Sequence, residues 1–92
     1  MNFRYNFDKN AQLLADRGIG FEEIIEAINN GNLLTSKKHH NQEKYPKQNI
    51  MYVRCLELIY FVPYVIEPND IIFLKTVYPS RKATKLFLEA KK

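Results

Sequence analysis

Between residues 49 and 78 the chain has three runs of strand character in close succession, and this limits its possible folds more than any other feature. Residues 49–56, 59–67 and 71–78 are rich in β-branched and aromatic side chains. The links between them are short. Glu57-Leu58 reads as a two-residue hairpin connection, although neither residue favours positive φ. Pro68-Asn69 reads as a turn, with Pro at i+1 and Asn at i+2. Consecutive strands with short links imply an antiparallel meander. Pro63 removes one ladder donor from the middle run, so a bulge or an edge is expected there. Pro79 closes the third run.

The flanking segments supply helices. Phe3, Tyr5 and Phe7 alternate with polar residues, as in a half-buried strand. Asp8 is expected to cap a short helix over 9–17, which Gly18 ends. Phe21, Ile24, Ile25 and Ile28 then form the core face of a second helix, with Glu22, Glu23 and Glu26 toward water near its positive end. Residues 33–35 make a short strand, and 36–48 form the one long polar loop. At the other end, Ser80 caps a last helix whose buried stripe is Ala83, Leu86, Phe87 and Ala90. The order β-α-α-β-β-β-β-α predicts one α+β domain over 1–92, with helices packed on one face of an antiparallel meander sheet.

Charge is distributed unevenly. The net charge is +4, but residues 1–30 carry three Lys or Arg against five Asp or Glu, while residues 71–92 carry six against one. A basic back suits a polyanion or an acidic protein. Cys55 is the sole cysteine, which excludes an internal disulfide and zinc sites built on cysteine pairs and fits a reducing compartment. Met1 leads straight into Asn2-Phe3-Arg4-Tyr5 without a secretory pattern, so a cytoplasmic protein is expected. The longest apolar run, 58–66, is strand-sized, so no membrane partner is expected.

Three scattered glycines make no phosphate loop, and His39-His40 has no Cys or carboxylate at a recognisable ligand spacing. No cofactor or metal is therefore called for. Lys37, Lys38, Lys44, Lys47, Arg54, Lys75, Arg81, Lys82 and Lys85 are instead interleaved with Tyr45, Tyr52 and Tyr78. Cations hold phosphates and tyrosines stack on unpaired bases, a combination suited to single-stranded RNA. Cutting RNA at its 2′-OH needs a base, an acid and cations for the phosphorane, which Lys, Arg, His and Tyr can supply without metal.

Two stretches carry a family likeness. Phe7-Asp8, followed by Asp16-Arg17-Gly18-Ile19-Gly20-Phe21-Glu22-Glu23, resembles the opening of the BrnT-type toxins, with Arg17 and Gly20 where that family often has His and Ser. Arg81-Lys82-Ala83-Thr84-Lys85 resembles their ending, whereas residues 37–64 have little in common with it. The resemblance implies a RelE-like fold and the toxin of a type II toxin–antitoxin pair, a ribonuclease that cleaves mRNA to block translation. It also implies a cognate BrnA-like antitoxin, the complex then binding operator DNA. Arg81, Lys82 and Lys85 carry over as an RNA-facing set. Joined to the loop, they give an expected catalytic group of Arg81, His40, Lys44 and Tyr45, with Lys75, Lys82, Lys85, Tyr78 and His39 on RNA. A non-catalytic nucleic-acid-binding or protein-interaction module, or a degenerate toxin that only binds its antitoxin, fits the same basic corner.

Overall fold

A computed structural model describes residues 1–89. The elements run β1 (Asn2–Tyr5), α1 (Phe7–Arg17), α2 (Phe21–Asn29), β2 (Leu33–Lys38), β3 (Asn49–Cys55), β4 (Leu58–Glu67), β5 (Ile71–Leu74), β6 (Tyr78–Pro79) and α3 (Arg81–Thr84), which widens into a π turn over Lys85–Glu89. The architecture is α+β.

Helix α1 starts earlier than the Asp8 cap predicts. Asn6, in extended backbone, accepts the Lys9 N–H at 2.9 Å, and Asp8 sits in the first turn where its charge favours the helix dipole. Asn and Asp cap equally well, so composition alone does not choose between them. Phe7, expected on the buried side of the strand, is instead the first helical residue and is 79% exposed. Gly18 ends the helix at φ 71°, donating to the Leu14 carbonyl. Gly20 serves a different need. A Cβ there would lie 2.5 Å from Asn10 Oδ1, the atom that accepts the Phe21 N–H at 2.8 Å. Thus α1 caps α2 through Asn10, and only glycine leaves room. On α2, Phe21, Ile24, Ala27 and Ile28 are buried and Ile25 half-buried, while the three glutamates face water.

The sheet runs β1-β5-β4-β3-β2, with β6 on the same side of β4 as β5. The meander β3-β4-β5 is present, but the sheet is mixed, because β1 pairs parallel with β5 (Asn2↔Ile71 to Tyr5↔Leu74). Strand β2 extends to Lys38 and pairs Lys37 with Ile50, taking residues 36–38 out of the expected loop. The β3–β4 hairpin turns at Leu56-Glu57, with Cys55 opposite Leu58. Both turn residues have positive φ, 51° and 68°, the geometry that a two-residue hairpin needs and that Asn-Gly usually supplies.

Pro63 behaves as its chemistry requires. Strand β4 pairs with β5 up to Tyr64↔Leu74 and with β6 from Phe61↔Tyr78. Between them, Val62-Pro63 oppose three residues, Lys75 to Val77, so the expected continuous strand over 71–78 is broken by a bulge. The Lys75 N–H donates to the Pro63 carbonyl at 2.8 Å. The missing proline N–H points to this same side and falls at the bulge, where no ladder acceptor awaits it.

Alternation assigns the two faces. Met51, Val53, Tyr60, Val62, Tyr64 and Leu74 pack against Leu13, Ile19, Phe21, Ile24 and Ile28 of the helical side. Tyr52, Phe61 and Tyr78 point the other way. The helices are not all on one side as expected, because α3 packs on this second face. Ser80 caps it, accepting from the Ala83 N–H at 3.1 Å. The buried Thr84 hydroxyl donates to the Ser80 carbonyl at 2.7 Å and accepts the Ile59 N–H at 2.9 Å. Of the expected stripe, Ala83 is buried and Phe87 half-buried, while Leu86 is 62% exposed because the backbone widens after Thr84; Ala90 lies outside the described residues.

Candidate functional site

The second face of the sheet is only partly covered, and its open part forms a groove. Tyr52 and Phe61, a direct cross-strand pair, stack at 4.4 Å between ring centroids. Tyr78 meets Phe61 edge-on at 5.8 Å, and Phe87 meets Tyr52 edge-on at 5.9 Å. These rings make an aromatic floor. Lys37 holds its ammonium 5.5 Å from the Tyr52 centroid.

Two depressions lie along this floor and share His40. One, of about 370 Å³, is lined by Lys37, His40, Tyr52, Phe61, Ser80, Lys82, Ala83, Leu86 and Phe87. The other, of about 320 Å³, is lined by His39, His40, Tyr45, Gln48, Pro63, Lys75, Thr76 and Tyr78. Strand β2, the loop after it, the β5–β6 bulge and α3 thus meet around one groove. Among the described residues its charged rim is Lys37, Lys75 and Lys82, and no carboxylate lines either depression. A further hollow on the helical side, lined by Glu23, Glu26, Arg54 and Glu57, has the wrong sign for a polyanion. Cys55 lies there too, and burial together with the two α2 carboxylates pushes its thiol up, away from a nucleophilic thiolate.

The loop is built. The Asn41 side chain accepts the Lys44 N–H at 3.1 Å and its carbonyl accepts the Tyr45 N–H at 2.9 Å, closing one turn. That turn lays Tyr45 on His39 at 4.5 Å, and His40 lies on the same imidazole at 4.4 Å. His39 is buried, and its Nδ1 accepts the Asn41 N–H at 3.0 Å. A backbone N–H can only donate, so the neutral ring carries its proton on Nε2. Burial, then the neighbouring His40, hold the His39 imidazole below its ordinary value. His39 is therefore a neutral buttress beneath the exposed His40.

The expected site residues separate accordingly. His39, His40, Tyr45, Lys75, Tyr78 and Lys82 come together in the groove. Lys44 is exposed beside the Tyr45 ring at 5.4 Å and lines neither depression. Arg81 and Lys85 line a separate hollow with Leu58, Pro79 and Thr84. On a helix Arg81 and Lys82 point about 100° apart, so neighbours in sequence serve different surfaces. Burial pushes the Tyr78 hydroxyl up, with Tyr52 adding to the effect, so near neutrality it stays protonated, a hydrogen-bond donor rather than a base. Phe61 and Phe87 complete the floor and were not among the expected residues. The Tyr52–Phe61 pairing was readable once the turn was placed at Leu56-Glu57.

Comparison of the chain with protein-family models, with curated proteins and with solved structures finds no match.

Proposed function

We propose that this protein is a metal-independent endoribonuclease of RelE-like fold, the toxin of a type II toxin–antitoxin pair, and that it cleaves mRNA in the groove on the second face of its sheet. One observation carries the reading: an aromatic floor with, among the described residues, three lysines and an exposed histidine on its rim and no carboxylate. Unpaired bases stack on Tyr52, Phe61 and Tyr78, while Lys37, Lys75 and Lys82 hold successive phosphates. The stack on His39 fixes the position of His40. Cleavage removes the 2′-OH proton, forms the O2′–P bond, and breaks the P–O5′ bond as the 5′ oxygen takes a proton. His40 moves one of these protons, and Lys82 stabilises the phosphorane charge. The resemblance at both ends of the chain supplies the toxin assignment, and with it a BrnA-like antitoxin whose complex with the toxin binds operator DNA.

The test is inducible expression in a bacterial host, together with cleavage of a labelled single-stranded RNA by purified protein in EDTA. Growth arrest and cleavage are expected, with both lost in a folded His40→Ala, Lys82→Ala variant. RNA binding without cleavage would reassign the protein as a non-catalytic nucleic-acid-binding module. Neither binding nor cleavage would refute the groove assignment.

A further inference from the structure

The cations at the start of α3 serve two surfaces. Lys82 lines the groove, whereas Arg81 and Lys85, one helical turn apart, rim a hollow of about 370 Å³ floored by Leu58 and Pro79. The floors differ in kind. The groove offers aromatic rings for base stacking, and the hollow offers only aliphatic surface. Leu58, in that floor, is 37% exposed. Among the described residues the ion pairs are Arg4–Glu67 and Arg54–Glu57, and neither involves Arg81 or Lys85. An aliphatic floor beneath two cations complements a segment that presents an aliphatic anchor flanked by carboxylates.

We propose that this hollow docks an acidic, aliphatic-anchored segment of a partner protein, outside the RNA groove. A stable dimer buries about 800 Å² on each subunit, and five lining residues fall well short of that, so a second copy of this chain is the weaker occupant. The proposal rests on the groove reading only in assigning RNA to the other flank of α3.

The test is fluorescence anisotropy at physiological salt with three labelled probes. These are a peptide carrying Leu at helical spacing flanked by Glu, the same peptide with Gln for every Glu, and a non-cleavable 2′-O-methyl RNA. The Glu peptide is expected to bind, and the Gln peptide to bind more weakly. Arg81→Ala with Lys85→Ala weakens the Glu peptide about tenfold or more. Lys82→Ala leaves peptide affinity within about twofold while weakening RNA. Three results overturn the proposal: no binding of the Glu peptide by the parent protein; a double variant that loses as much RNA affinity as peptide affinity, which makes the hollow part of an RNA track; or a parent dimer in sedimentation that the double variant dissolves, which makes the occupant a second copy. A parent protein that binds the Glu peptide but not RNA refutes the groove and leaves the hollow standing.

Discussion

Replacing Thr84 with valine tests what holds α3 over the groove. The substitution keeps the branched shape and removes only the hydroxyl. That hydroxyl is buried, donates to the Ser80 carbonyl at 2.7 Å and accepts the Ile59 N–H at 2.9 Å. The Ser80 carbonyl keeps a partner, because the Thr84 N–H also donates to it at 3.0 Å. The Ile59 N–H loses the acceptor it uses at the start of β4. A buried donor left without a partner costs about 1–3 kcal/mol, so Thr84→Val should destabilise by that amount. In a domain of this size each kcal/mol moves Tm by about 4–8 °C, well within reach of thermal and urea unfolding followed by circular dichroism. Lys82 and Phe87 extend from this short helix, so RNA affinity should fall as well. An unfolding midpoint equal to that of the parent would refute the claim that this hydroxyl docks α3 on the sheet.

Gly20→Ala should cost about 1–3 kcal/mol, read from urea unfolding, because the new Cβ displaces the Asn10 cap of α2. His39 predicts a pH effect of definite sign. Its imidazole is held below the ordinary value in the folded chain, so the unfolded chain takes up the proton first. The stability it contributes is present above the ordinary histidine value and is lost as pH falls through that value toward the folded one. Between about pH 7.5 and 5 the parent midpoint should therefore drop more steeply than that of His39→Gln, and parallel slopes would contradict this. Leu56→Asn with Glu57→Gly should raise stability by about 1–2 kcal/mol in the same unfolding assay, because both positions have positive φ.

Local chemistry was legible in the sequence wherever one residue decides its own surroundings. Gly18 ends α1, Ser80 caps α3, the Ile and Phe spacing gives α2 its buried face, and Pro63 sits at a bulge. Pairing between distant segments was not legible. Nothing local to Asn2–Tyr5 indicates a parallel partner at Ile71–Leu74. The hairpin turn was misplaced by one residue because Leu56 and Glu57 lack the usual turn chemistry. Moving a two-residue turn by one position shifts the register by two, so the expected partner of Tyr52 was Pro63, which hid the direct Tyr52–Phe61 pair. The basic corner was legible as a cluster, but its division between groove and hollow depends on where α3 docks.

The central claim is that the groove, rather than the basic corner as a whole, is where RNA is cut. Single-turnover cleavage of one labelled RNA by the parent, His40→Ala, Lys82→Ala and Arg81→Ala, each shown folded by circular dichroism, tests it most directly. Lys82 is taken to stabilise the transition-state charge, and removing such a group costs about 10²–10³-fold in rate. The account predicts that loss for Lys82→Ala, a comparable loss for His40→Ala, and a smaller one for Arg81→Ala. Parent-rate cleavage by both Lys82→Ala and His40→Ala, or a loss concentrated in Arg81→Ala, would contradict it.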